Sequence, residues 1–158
     1  MMRREASGRI DRVLAAVETV ALGTWLGALV GFAFVFAPLA FRIVAPLDVG
    51  RFATLTATSL AVLSTWGYVL GGVAVVVTLA RAAGAGDRVW DAVRAAAVVL
   101  ALCLVAFEQR AIVPPMLAAT DVRSEAYHAL HQRSTAIYGG AVLLVAAALV
   151  LAAVRRDT

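Results

Sequence analysis

The sequence contains no lysine, a single cysteine and little charge of either sign. All 14 basic residues are arginine, and charged residues make up 15% of the chain. The bias toward arginine, alanine and valine is typical of a genome rich in G and C, so it concerns codon usage rather than function. Cys103 lies inside an apolar run and excludes an intrachain disulfide. No paired nucleophile and base, phosphate-binding loop or dinucleotide fingerprint is visible.

The net charge of +4 would be compatible with nucleic-acid binding if the arginines formed one surface. They lie instead between apolar runs, and no basic patch is interleaved with aromatic residues. The charge distribution therefore argues against a nucleic-acid partner.

Hydrophobic residues make up 63% of the chain, against roughly 45–50% in a soluble domain. Four apolar stretches, at 19–41, 53–80, 95–113 and 135–154, reach the roughly 20 residues that a bilayer requires. The first is too long for a signal peptide and lacks a small-residue cleavage site, so we expect a retained helix. The sequence predicts one all-α membrane domain over 1–158, with helices at about 15–41, 53–81, 90–113 and 122–154.

The arginine distribution predicts the orientation of this bundle. The N-terminal tail, the loop between the second and third helices and the C-terminal tail contain nine arginines, against five in the other connections. The arginine-rich side is expected to be cytoplasmic. Short connections favour neighbouring helices that run antiparallel. We therefore predict an up-down-up-down bundle in a bacterial inner membrane, with both termini in the cytoplasm.

Glycines recur four residues apart along the predicted helices. Such spacing lets two helix backbones approach closely where lipid provides no hydrophobic drive for association. The glycines expected to mediate helix packing are Gly23, Gly27, Gly31, Gly67, Gly71 and Gly140. A homo-oligomer contact through the glycines of the first helix is the alternative interpretation.

Aromatic residues and prolines within the spans suggest further structural roles. Trp25 and Trp66 are expected to fill the core, where each indole N–H needs a partner. Pro38 is expected to kink the first helix, and the pair Pro114 and Pro115 to end or kink the third.

Two glutamates fall in or beside apolar stretches, where an ionisable group is costly. Glu18, at the start of the first helix, is expected at the membrane interface near the arginine-rich tail. Glu108, near the end of the third helix, cannot pair well with Arg110, because residues two apart point to different sides of a helix. We therefore expect Glu108 either to form a structural ion pair with another element or to handle protons or a metal through its carboxylate.

The segment from Glu125 to His131 offers possible metal ligands. Glu125 and His128 share a helix face, as do His128 and His131, because three residues make almost one turn. With Glu108 they could bind a divalent metal such as zinc or iron. The alternative is that the histidines hydrogen-bond the end of the third helix. Two histidines on one short segment argue against a haem held between two histidines.

Several motifs resemble a four-helix membrane family of unknown function that is similar to transmembrane protein 205. They are Trp25-Leu26-Gly27, Phe36-Ala37-Pro38 with Phe41, the polar break from Glu108 to Pro114, and Leu130-His131 with Ser134. The resemblance implies the four-helix fold and marks Trp25, Gly27, Pro38, His131 and Ser134. In that family pattern an asparagine often lies in the third-helix break, so Glu108 is a departure from it.

Two functions follow as hypotheses. The first is a non-enzymatic membrane protein, either a transporter-like bundle or an accessory subunit, with the lipid bilayer and a homo-oligomer or membrane-protein partner around it. The second is a metal- or proton-handling protein, including a redox enzyme, with its site at the extracytoplasmic end of helices three and four. Single-segment histidine pairs are weak metal evidence, which favours the first.

Overall fold

The computed structural model describes residues 2–83, 88–119 and 124–154, with no side-chain detail for residues 2–7 and 88. The predicted start of the fourth helix, at about residue 122, lies outside these ranges. Eight helical segments follow one another within them. They are α1 (Met2–Gly31), π1 (Phe32–Phe36), α2 (Ala37–Val44), α3 (Val49–Ala82), α4 (Arg88–Phe107), π2 (Glu108–Ile112), α5 (Val113–Ala118) and α6 (Glu125–Val154). The π segments are wide turns inside longer helices.

The segments join into four helices long and apolar enough to cross a membrane. Span 1 is Gly8–Val44, span 2 Val49–Ala82, span 3 Val89–Ala118 and span 4 Glu125–Val154, with mean hydropathies of 2.0 to 2.5. A helix satisfies its backbone hydrogen bonds internally, which lipid requires. Large apolar side chains such as Phe34, Val76 and Leu143 point outward. The prediction of an all-helical chain with four helices long and apolar enough to span a membrane is confirmed.

The four spans form a closed ring of neighbours. Each span packs against the next one in the chain, and span 1 also packs against span 4. Spans 1 and 2 are joined by a connection of a few residues, and Asp48 begins span 2 by accepting a hydrogen bond from the Arg51 amide at 3.0 Å. This side-chain cap satisfies an amide that the first helical turn leaves without a backbone partner.

Spans 1 and 3 share a construction in which a π segment leads directly into a proline-containing helix. The amide of Ala37 donates to the carbonyl of Phe32, and that of Val113 to the carbonyl of Glu108. Pro38, Pro114 and Pro115 follow at once. Proline donates no backbone hydrogen bond and crowds the preceding turn, and a widened turn gives it room. Span 3 thus continues through both prolines to Ala118 rather than ending at 113.

The core is built on one large ring and many small residues. Trp25 is 1% exposed and packs with Leu22, Val98, Ala101 and other small side chains of all four spans. An added Cβ at Gly67 would lie 2.8 Å from the Trp25 indole nitrogen, and one at Gly71 2.7 Å from Leu102 Cδ2. These glycines therefore make room for Trp25.

The remaining glycines of the predicted packing set divide into two groups. A Cβ at Gly140 would lie 3.3 Å from Leu104 Cδ1, so this glycine is also at a close helix contact. Added Cβ atoms at Gly23, Gly27 and Gly31 would meet nothing within 4 Å. The first-helix glycines are therefore not in a close contact among the described residues.

Trp66 was expected in the core, but the structure places it on the surface of the bundle. Its side chain is 60% exposed, beside a shallow groove between spans 1 and 2. The two tryptophans differ because Trp25 faces the glycines of span 2, whereas Trp66 points away from the neighbouring helices. Because both helices are apolar on every side, the hydrophobic pattern does not show which tryptophan faces the core.

Replacing Gly67 by alanine is expected to destabilise the bundle by about 1–3 kcal/mol, because the new methyl group overlaps the rigid Trp25 ring. Gly23→Ala is the matched control, since a methyl group there meets open space. The free energy of unfolding in mixed detergent micelles measures both. Equal stability of the two variants would contradict the packing of Trp25 on Gly67.

Candidate functional site

A cavity of about 320 Å³ lies between the spans and is lined by residues from all four of them. We call it the Glu108 cavity. Most of its wall is apolar. The polar groups in the wall are Thr56, Glu108, Tyr127, His131, Ser134, Thr135 and Tyr138. An apolar pocket with a few convergent polar groups is the usual form of a small-molecule site.

Glu108 is the charged group of this wall, and it is almost fully enclosed. Its residue is 2% exposed, and the hydroxyl of Ser134 on α6 donates a hydrogen bond to its Oε1 atom. Among the described residues no arginine forms an ion pair with it. Arg42, Arg51 and Arg133, three arginines of the other spans that could have formed such an ion pair, are exposed. The carboxyl group therefore has one neutral partner and no cationic one in the described part of the chain.

Both π segments border the cavity. Glu108 is the first residue of π2, and Phe32 and Ala33 of π1 lie in the wall opposite span 2 residues. A π turn changes the direction in which the following side chains project, and such turns are frequent at functional sites. The two proline-linked turns thus shape the same part of the bundle.

Aromatic rings form much of the remaining wall. The Tyr138 hydroxyl donates to the Leu29 carbonyl at 2.7 Å, which fixes its ring beside Phe32 at a centroid separation of 5.9 Å. Tyr127 and His131 are parallel, with ring centroids 6.4 Å apart. Phe52 from span 2 completes the set of rings.

The predicted metal ligands are only partly brought together. Glu108 and His131 line the same cavity, whereas Glu125 and His128 are absent from its wall. All of these residues except Glu108 are exposed. Within 2–83, 88–119 and 124–154, no group of three or more His, Cys, Asp or Glu residues could hold a metal ion. Ser134, marked by the family resemblance, is the residue that contacts Glu108.

The first half of span 2 is rich in hydroxyl groups, and most of them donate hydrogen bonds within their own helix. Thr54, Ser64 and Thr65 each donate to the carbonyl four residues earlier, at 2.7 to 3.0 Å. Thr56 does the same toward Phe52 and also lines the Glu108 cavity. Back-bonding of this kind lets a hydroxyl lie in an apolar environment without another partner.

A second charged cluster, the Glu18 network, was not predicted. Glu18 is 0% exposed, and its Oε1 lies 2.7 Å from Arg94 Nε and accepts a hydrogen bond from Thr78 at 2.7 Å. Its Oε2 lies 2.8 Å from Arg81 Nη1. Glu18 therefore joins spans 1, 2 and 3.

The network continues outward through two aspartates. Arg81 Nε contacts Asp11 at 3.0 Å, and Arg94 Nη2 contacts Asp91 at 2.7 Å. Asp11 precedes Glu18 by two helical turns, and Asp91 precedes Arg94 by three residues, so each pair shares a face. That spacing is the feature of the sequence that points to the Glu18 network, but it does not reveal which helices face one another.

The fold and these two polar clusters define a small multi-pass membrane protein. Residues 20–125 match the family model described as domain of unknown function DUF4149, and the chain belongs to that family. The predicted membership in a family of unknown function is confirmed. No curated protein and no solved structure matches the chain. The match includes Glu108, whereas Ser134 and His131 lie beyond it.

Removing one member of the buried ion pairs is expected to destabilise the protein strongly. Glu18→Gln leaves Arg81 and Arg94 without their shared carboxylate, and loss of one partner of a buried pair costs about 3–5 kcal/mol. Asp11→Asn is the control, because the Asp11 side chain is exposed and Arg81 keeps Glu18 as its partner. We therefore expect a loss of about 0–1 kcal/mol, as is typical of a surface pair. The free energy of unfolding in mixed micelles is measured for both variants. A small effect of Glu18→Gln would contradict the role of Glu18 in holding the three spans together.

Proposed function

We propose that this protein is a non-enzymatic, transporter-like bundle of a bacterial inner membrane that binds a small, mainly apolar molecule in the Glu108 cavity. One observation carries the proposal. A buried carboxyl group with no cationic partner among the described residues borders a cavity to which all four spans contribute. A group so costly to bury is retained in a membrane protein most often for function.

The size and wall of the cavity support recognition of a small molecule. A volume of about 320 Å³ lies at the lower end of the roughly 300–1,000 Å³ typical of ligand pockets. Phenylalanine, alanine and leucine side chains provide apolar contact, while Glu108 and the hydroxyls can orient one polar end of the ligand.

The contacts between spans support the antiparallel bundle. Glu18, early in span 1, meets Thr78, late in span 2, whereas the rings of Phe41 and Phe52 meet across the short connection at 5.5 Å. With the arginine-rich side in the cytoplasm, the Glu18 network lies in the cytoplasmic half. The Glu108 cavity then lies in the extracytoplasmic half, with both termini inside.

The open faces of Gly23, Gly27 and Gly31 support a further element of the proposal, a contact with a second copy or another membrane protein. The likeness to transmembrane protein 205 that the sequence motifs suggest is part of the proposal as well, and it adds no substrate. Neither element is needed for ligand binding in the cavity.

Binding can be tested with three probes that share one skeleton and differ in their polar end: 4-phenylbutanol, 4-phenylbutylamine and 4-phenylbutyrate. Isothermal titration into protein in lipid nanodiscs is expected to show saturable 1:1 binding of at least one probe. Ala57→Trp should reduce that binding at least tenfold, because the indole fills the cavity that Ala57 lines.

Ala61→Trp is the matched control, since Ala61 is one turn away on the same helix, exposed and outside the cavity wall. It is expected to bind like the original protein. If no probe binds saturably, or if Ala57→Trp and Ala61→Trp bind equally, the cavity is not a ligand site and the proposal fails.

A metal- or proton-handling site is the second candidate function, favoured by the presence of Glu108 and His131 in one wall. If the site binds a metal, purified protein exposed to zinc or iron will retain near-stoichiometric metal. Both His131→Ala and Glu108→Gln will then lose that metal. His128→Ala is the control, because His128 is exposed and outside the wall. Retention of metal by the two wall variants would contradict a metal site there.

A further inference from the structure

The free side of the Glu108 carboxyl group indicates the charge of the ligand. Ser134 donates to Oε1, and Oε2 accepts no hydrogen bond from the residues that the structure describes. A carboxylate removed from water is strongly destabilised unless a cation or several donors compensate it. Glu108 lines the cavity, so a positive group of a bound ligand could reach its carboxylate from there.

The rings around the cavity favour the same kind of ligand. Phe32, Phe52, Tyr127 and Tyr138 contribute to its wall together with Glu108. The faces of aromatic rings carry partial negative charge and attract ammonium groups, most strongly where water is excluded. A carboxylate combined with several aromatic rings is thus a wall suited to an organic cation.

We propose that the Glu108 cavity binds an organic monocation, an amine or quaternary ammonium group that carries an apolar substituent. The cationic end pairs with Glu108, and the substituent lies among the alanine and phenylalanine side chains of spans 1 and 2. This inference rests on the proposed function and names its ligand class. An anion would meet the Glu108 carboxylate, and a neutral ligand would offer no charge opposite to it.

The binding constants of 4-phenylbutylamine and 4-phenylbutanol test the charge, since the two probes differ only in the polar end. In the original protein the amine is expected to bind roughly tenfold to a hundredfold more tightly, as for a charge-assisted hydrogen bond. In Glu108→Gln this ratio should fall close to one. A comparison of two probes within each variant removes any general loss of folding from the result.

Two further variants separate the carboxylate from its surroundings. Asp48→Asn removes an exposed carboxylate outside the cavity wall and is expected to preserve the ratio. Tyr127→Leu removes one aromatic face and should lower the affinity for the amine severalfold more than that for the alcohol. Preservation of the full amine preference by both Glu108→Gln and Tyr127→Leu would overturn the inference.

The outcomes distinguish this inference from the proposed function. Equal binding of amine and alcohol, abolished by Ala57→Trp, overturns the cationic ligand and leaves the cavity as a binding site. Preferential binding of 4-phenylbutyrate also overturns it. Absence of saturable binding by all three probes overturns both.

Discussion

The cost of placing a carboxylate away from water organises this bundle. At Glu18 the cost is offset by two arginines and a threonine hydroxyl, drawn from spans 2 and 3. Lipid gives helices no hydrophobic reason to associate, so packing and polar contacts must determine which faces meet. A charge cluster that is satisfied only when three spans converge selects one arrangement. The Trp25 packing next to it depends on the same rotation of spans 1 and 2.

Glu108 is the same residue type in a different situation. Glu18 lies among charged partners and borders no described cavity, whereas Glu108 has one hydroxyl partner and an open volume beside it. A structural ion pair, the first of the roles expected for Glu108, would place an arginine against it. Arg42, Arg51 and Arg133 are instead exposed. The contrast between the two glutamates supports a role in stability for the first and the proposed role in recognition for the second.

The sequence was informative about what enters the membrane and less so about which way each helix faces. Span length and hydropathy were sufficient to predict four helices, because a bilayer imposes a minimum length on any crossing. The burial of Glu18 and the exposure of Trp66 could not be predicted in the same way. Both depend on helix rotation, and a span that is apolar all round carries little periodic signal for it. The glycines show the same limit, since Gly67 and Gly71 meet Trp25 while Gly23 and Gly27 meet nothing.

The cavity itself depends on a local feature that composition does not reveal. Prolines in spans 1 and 3 were expected to kink or end their helices, and in both spans they follow a π turn. The two π turns lie in spans 1 and 3, on the border of the Glu108 cavity. Beside the cavity they shift both helix backbones away from the regular α-helical register. Close packing is interrupted there, although the same helices pack tightly around Trp25. Glu108 begins one of these turns, so the widened turn that accommodates the prolines directly follows the carboxyl group at the cavity. An uninterrupted α-helix would not have the same register after Glu108, so the later wall residues of span 3, Val113, Met116 and Leu117, would project in other directions.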